Sequence, residues 1–207
     1  MNALILVDLQ NDFCPGGALA VNEGDQTIPI ANKLMEHFDL VVATQDWHPI
    51  DHGSFAANNP EKQIGELHEL GGLPQVMWPV HCVQETVGAE FVDELNKENI
   101  TKVFVKGTDR NIDSYSGFFD NDHKKATGLH QYLQSNQVEK VYVMGLALDY
   151  CVRFTAIDAA NLGYKTYLVQ DGCRGVGLKE EDIPNALNEM TEKGVIIINS
   201  EEIKNYL

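Results

Sequence analysis

The sequence predicts an α/β fold: one three-layer α/β/α domain spanning residues 1–207, with a six-stranded, mainly parallel sheet. Three observations carry this reading. Short apolar, β-branched runs alternate along the chain with stretches of helical spacing. The apolar runs lack an inside-outside alternation, as expected for strands buried on both faces. No repeat, low-complexity tract or Gly/Ser linker interrupts the chain, so nothing marks a domain boundary.

In chain order, "ALILVD" is the first strand and "QTIPIANKLMEHF" the first helix. "LVVATQD" follows as a strand, "GAEFVDELNKE" has helical spacing, and "KVFVKG" is the third strand. "KKATGLHQYLQSN" and "KVYVMGLAL" give the next helix and strand. In "DYCVRFTAIDAANLGY", Val152, Thr155, Ala156, Ala159 and Leu162 share one helical face, which places Cys151 in the first turn of a helix that directly follows a strand. "KTYLVQD", "EEDIPNALNEMTEKG" and "VIIINS" complete the pattern. The Gly-rich "DGCRGVG" at 171–177 lacks both G-x-G-x-x-G spacing and a P-loop lysine, so it is expected to be the turn into the last helix. The stretch at about 48–82 is rich in Pro, Gly, His and Asn without clear period; an irregular excursion of that length usually carries function.

Composition narrows the partners. With 15 Lys and Arg against 31 Asp and Glu, the formal charge is −16, which repels nucleic acid and anionic membranes and favours small neutral or cationic ligands. Cys14, Cys82, Cys151 and Cys173 are widely spaced and form no C-x-x-C pair, so neither a zinc knuckle nor a disulfide framework is expected. The opening "MNALILVD" reaches an acid at residue 8, unlike an export leader, and no apolar run approaches membrane-spanning length. A reduced, cytoplasmic setting is the expectation; a homo-oligomer is left open.

Ligands of open α/β sheets bind beyond the carboxyl ends of the strands. Asp8, Asp46, Lys106 and Cys151 all fall at such ends. Singly, Asp8 reads as a turn acid, Lys106 as a solvated charge and Cys151 as a small buried hydrophobe. Together they have a chemical meaning. Amides at the start of a helix lower a thiol's pKa, Asp8 can take its proton and return it to a leaving amine, and Lys106 favours the thiolate. Backbone N–H groups around Ala147 and Cys151 could receive the oxyanion, giving an acyl-transfer site without a catalytic histidine.

A metal signal sits nearby. In "TQDWHPIDHGSF", Asp46 and His48 are two residues apart, so in extended backbone they face the same way; "MWPVHC" brings His81 from the far end of the excursion. One carboxylate and two imidazoles suit Zn, Fe or Mn, with positions left open for water and substrate. The alternative is that these are ordinary loop histidines, a common occurrence for a D-x-H tripeptide. His52 could approach the same pocket; His68, His123 and His130 have weaker claims, Cys82 beside His81 has no pairing partner, and Cys14 and Cys173 look structural.

The stretches "LILVDLQNDFCPGGAL", "TQDWHPIDHGSF", "WPVHCV", "KGTDRNIDSYSGFFDN", "GLALDYCVRFTAIDAANLGY" and "VQDGCRGV", in this order, resemble the nicotinamidases of the isochorismatase-like cysteine hydrolase superfamily. The resemblance covers nearly the whole chain, except that residues 55–77 match no motif. It implies strand order 3-2-1-4-5-6, the triad Asp8, Lys106 and Cys151, one divalent metal, zinc foremost, on Asp46, His48 and His81, and Ser54 near the metal's water shell. It also implies a cis peptide between Leu146 and Ala147. The expected activity is hydrolysis of nicotinamide to nicotinate and ammonia through a Cys151 thioester, in NAD salvage, with pyrazinamide as a further substrate. Phe13, Trp47, Tyr115 and Ala147 are then expected around the aromatic ring. The competing readings are another amidase or ureido hydrolase of the superfamily, or a non-catalytic binding protein of the same fold.

Overall fold

A computed structural model describes residues 1–207. Its main sheet contains β1 (Asn2–Val7), β2 (Leu40–Asp46), β5 (Lys102–Lys106), β6 (Lys140–Leu146), β7 (Lys165–Arg174) and β8 (Ile196–Ile198). All neighbours are parallel and the spatial order is β5-β2-β1-β6-β7-β8, which in sequence rank is 3-2-1-4-5-6. A separate two-stranded hairpin, β3 (Leu67–Leu70) and β4 (Leu73–Val76), lies in the excursion between β2 and β5.

The central strand β1 has no exposed face: residues 3–7 are all fully buried, with Val7 registered beside Thr44 on β2 and Gly145 on β6. Gly145 is required there, because a Cβ would stand 2.1 Å from the Val7 carbonyl oxygen and its φ is +128°. At this point the β6–β7 register also shifts, and the end of β6 pairs again with the extension of β7, Gly145 beside Cys173 and Leu146 beside Arg174. The Leu146–Ala147 peptide that follows is cis, as the resemblance implies.

Right-handed crossovers decide which face each helix covers. The chain leaves β1 towards β2 through α1 (Thr27–Met35), whose Ile28, Ala31, Leu34 and Met35 are buried at helical spacing. From β5 onward it moves the other way, so α2 (Leu129–Ser135), α3 (Arg153–Asn161) and α4 (Asp182–Glu192) belong to the opposite face. Phe104 of β5 meets Tyr132 of α2 there at 5.5 Å between ring centres. The β2–β5 connection belongs to the α1 face but carries no α-helix, and Val103 and Val105 of β5 stay 39% and 45% exposed on it. No helix is long and apolar enough to cross a membrane.

Three elements differ from expectation. "GAEFVDELNKE" forms only single 3-10 turns at Val87–Ala89 and Lys97–Asn99. Its backbone is used elsewhere: Asn11 N–H donates to Glu90 O, Val92 N–H donates to Leu9 O, and Phe91 bridges to Gln10, which holds the segment extended beside the turn after β1. Cys151 lies in a π-helical turn, Leu148–Val152, ahead of α3. β7 continues through "DGCR" to Arg174, so the Gly-rich stretch is partly strand.

Candidate active site

Lys106 is the hub of the site at the carboxyl edge of the sheet. Its Nζ lies 2.8 Å from Asp8 Oδ2, 2.5 Å from Asp46 Oδ1, 3.0 Å from Ser114 O and 3.4 Å from Cys151 Sγ, and it is buried with all of them. The ends of β1, β2 and β5 supply Asp8, Asp46 and Lys106, and the π turn after β6 supplies Cys151. Oxygens of Asp8 and Asp46 and the Cys151 sulfur all lie within 4.8 Å of one another. Asp8 adopts a left-handed backbone, φ +49°, rare for a residue with a side chain. Its Oδ1 accepts the Thr44 hydroxyl at 2.6 Å.

Two carboxylates share one ammonium here, and burial sets the result. Burial raises the Asp8 carboxyl above its ordinary value despite the attraction of Lys106. Burial would also raise Asp46, but Lys106 and then His48 outweigh it and hold that carboxyl well below the usual range. The Cys151 thiol is pushed well up by burial, against the pull of Lys106, so the helix-start amides do not leave a free thiolate at rest. At rest the sulfur is therefore a thiol, close to the Asp8 carboxyl. The Ala147 N–H, just ahead of the π turn, makes no hydrogen bond within the protein.

Asp46 also belongs to a second cluster. Its Oδ2 lies 3.5 Å from His48 Nε2 and 3.9 Å from His81 Nε2, and the three residues are buried. His48 Nδ1–H donates to Gly107 O and His81 Nδ1–H to Pro79 O, both at 2.8 Å. Carbonyls only accept, so each ring carries its proton at Nδ1 and leaves Nε2 as the nitrogen on the Asp46 side. Burial, and then His48, hold His81 down to about 4, neutral at physiological pH. Burial disfavours the His48 cation, but Asp46 outweighs it and raises that group. One carboxylate oxygen and two imidazole nitrogens within 4.8 Å, tautomers fixed from behind, fit a divalent transition metal.

Two supports hold this set. The Gln10 amide donates to Asp46 O and accepts the Asp46 N–H, each at 2.8 Å, fixing the backbone of the shared acid. Gly107 has φ +63°, and a Cβ there would stand 2.4 Å from His48 Cε1. Gly107→Ala is therefore expected to displace the His48 ring and weaken metal binding by about tenfold to a hundredfold, read by chelator competition. Unchanged affinity would show that His48 is not a ligand.

The cleft above Cys151 is lined by Ala147, Asp46 and His81, with Phe13, Trp78, Tyr115 and Tyr150 as aromatic walls and Leu19, Asp113 and Val176 completing it. Trp47 does not line it. The alternation that turns Asp46 and His48 into the site turns the residue between them away, and Trp78, from the excursion, stands where Trp47 was expected. Trp78 Nε1–H and Gln75 Nε2–H both donate to Tyr115 Oη, at 3.2 and 2.8 Å, which fixes that wall. Ser54 is buried with its hydroxyl 2.8 Å from His52 Nδ1, and the His52 ring packs 4.4 Å from that of His48. Thr44, Gln10, Gly107 and Ser114 were absent from the sequence-derived set. Thr44 had a signal, since it stands two residues before Asp46 on the same strand.

A parallel sheet with a buried Cys, Lys and Asp at its carboxyl edge and a metal-ligand set sharing that edge defines a cysteine hydrolase site. The chain belongs to the isochorismatase family: the isochorismatase domain model matches residues 2–202. It is 47% identical over 199 residues to the nicotinamidase of Escherichia coli (strain K12), covering 94% of this chain and 93% of that protein. Among solved structures, it resembles the nicotinamidase/pyrazinamidase of Acinetobacter baumanii with a TM-score of 0.95 and 46% identity, covering 98% of this chain and 97% of that one. It also resembles the pyrazinamidase of Pyrococcus horikoshii in complex with zinc, with a TM-score of 0.77, 41% identity and coverage of 96% and 98%.

Proposed function

We propose that this chain hydrolyses nicotinamide to nicotinate and ammonia, the step that returns the pyridine ring to NAD synthesis, and that it accepts pyrazinamide as well. The observation that carries the reading is that one acid, Asp46, joins the Cys151 cluster to the metal-ligand set within a single aromatic-walled cleft. The names of the similar proteins support it.

In this reading Asp8 takes the Cys151 proton as Sγ attacks the carboxamide carbon, and the Ala147 and Cys151 amides receive the oxyanion. Asp8 then passes the proton to the departing nitrogen, ammonia leaves, and a thioester remains. Asp8 next deprotonates water, which attacks the thioester; nicotinate and the free thiol are released. Lys106 keeps Asp8 anionic between these transfers and stabilises the sulfur as its charge grows. Phe13, Trp78 and Tyr115 sandwich the flat ring. Asp46, His48 and His81 would hold zinc, which supplies, when bound, a Lewis acid for the ring nitrogen.

Benzamide keeps the ring size and the amide but lacks that nitrogen. Its kcat/KM is expected to be at least about a hundredfold below that of nicotinamide, or roughly 2.7 kcal/mol of transition-state stabilisation. Comparable efficiency for the two amides would remove the ring-nitrogen role. Ammonia release from nicotinamide, measured with and without chelator, tests the activity: loss on chelation and recovery with zinc are expected, and full activity in metal-free protein would point to a different amidase.

A further inference from the structure

Thr44 and Asp46 leave β2 on the same face, two residues apart. The Thr44 side chain is fully buried, and its hydroxyl donates to Asp8 Oδ1 at 2.6 Å. The other oxygen, Asp8 Oδ2, is 2.8 Å from Lys106 Nζ, which itself lies 3.4 Å from Cys151 Sγ, but it makes no well-directed hydrogen bond and so keeps a lone pair free. What aims the hydroxyl is a glycine on another element. The Thr44 methyl sits where Gly117 has no side chain: a Cβ on Gly117 would stand 2.6 Å from Thr44 Cγ2. Gly117 is itself held by its N–H, which donates to Thr155 Oγ1 at 2.9 Å. A β-branched side chain has few χ1 choices, so a seated methyl fixes the direction of the hydroxyl.

We infer that Thr44 is a positioning residue for the base: it holds Asp8 Oδ1 so that Oδ2 is the oxygen presented to Cys151, and the empty side-chain position of Gly117 sets its rotamer. The inference rests on Asp8 acting as the base in the hydrolysis proposed above. Without the hydroxyl, the Asp8 carboxylate loses a short hydrogen bond and is free to rotate about its last bond. Thr44 does not line the cleft and its hydroxyl is spent on Asp8, so substrate affinity and metal content should not follow the change.

Thr44→Val keeps the shape and removes the donor. It is expected to lower kcat on nicotinamide roughly 10- to 100-fold, as loss of a hydrogen bond to a charged group does. KM should stay within about threefold, and bound metal should be unchanged. The rate of Cys151 alkylation by iodoacetamide should fall with kcat, a readout that does not depend on which amide is the substrate. Thr44→Ser, which restores the hydroxyl, should recover both rates. Gly117→Ala should mimic Thr44→Val by displacing the methyl, and adding Thr44→Ser to it should relieve the loss, because serine has no methyl to displace. Thr44→Val with unchanged kcat and alkylation, or a Gly117→Ala defect that Thr44→Ser does not relieve, would overturn the proposal. Alkylation that depends on Thr44, in a wild-type chain that releases no ammonia from nicotinamide, would support the positioning role and overturn the substrate assignment instead.

Discussion

Cys151→Ala is expected to lower kcat for nicotinamide by at least about a thousandfold, because it removes the atom that carries the acyl group. The folded protein should survive. Cys151 is a small side chain in the turn before α3, and the contacts that order that turn are backbone ones: the Tyr150 and Val152 N–H groups both donate to Ala147 O. Asp149 adds a clamp from its carboxylate, which accepts the Val176 and Gly177 N–H groups at 2.8 and 2.9 Å. Thermal unfolding close to wild type, together with retained metal, should therefore accompany the loss of turnover. Intact-mass measurement after mixing with substrate separates the roles further: the wild type should show a transient acyl adduct and the variant none. Turnover by Cys151→Ala near the wild-type rate would remove the thioester mechanism.

The parts of the molecule legible in the sequence are those set by local period. Strands such as "ALILVD" and "KVYVMGLAL" are buried on both faces, so their composition alone identifies them, and the order of βα units with right-handed crossovers gives the sheet. Asp46 and His48 were legible for the same reason, since two-residue alternation puts them on one side. That alternation also turns Trp47 away from the cleft, which it does not line. Non-local pairing was not legible. "GAEFVDELNKE" has helical spacing, yet its backbone hydrogen bonds go to residues 9–11, a partner about 80 residues away in the chain. The hairpin at residues 67–76 did carry a signal in Gly71-Gly72, both at positive φ, which suits a two-residue turn. The thiol's acidity was not legible because it depends on burial: Cys151 is 6% exposed, and desolvation outweighs the attraction of Lys106.

That upward shift gives Asp8 its importance, and Asp8→Asn is expected to lower kcat/KM roughly 10²- to 10⁴-fold. With the thiol protonated at rest, attack requires an acceptor at Sγ, and an amide accepts no proton. The structural cost should be small. An asparagine can turn its carbonyl oxygen to Lys106 and its amino group to the Thr44 hydroxyl oxygen, which accepts as readily as it donates, so both present neighbours stay satisfied. The ionic balance favours the variant. Burial raises the Asp8 carboxyl in the folded protein above its unfolded value, more than Lys106 lowers it. A group shifted that way stabilises the fold fully only below its unfolded pKa, and the contribution is lost as pH rises through the folded value. Ionising this buried carboxyl is thus a burden on the fold that its chemistry requires, and the neutral amide removes it while Asp46 still pairs Lys106. Asp8→Asn should unfold at a temperature no lower than wild type at pH 7, with its advantage shrinking as the pH falls toward the unfolded carboxylate range. A variant that hydrolyses nicotinamide at the wild-type rate would show that another group takes the thiol proton. One that is inactive but markedly less stable at pH 7 would show that the Asp8 charge holds the site together, contrary to the direction its burial sets.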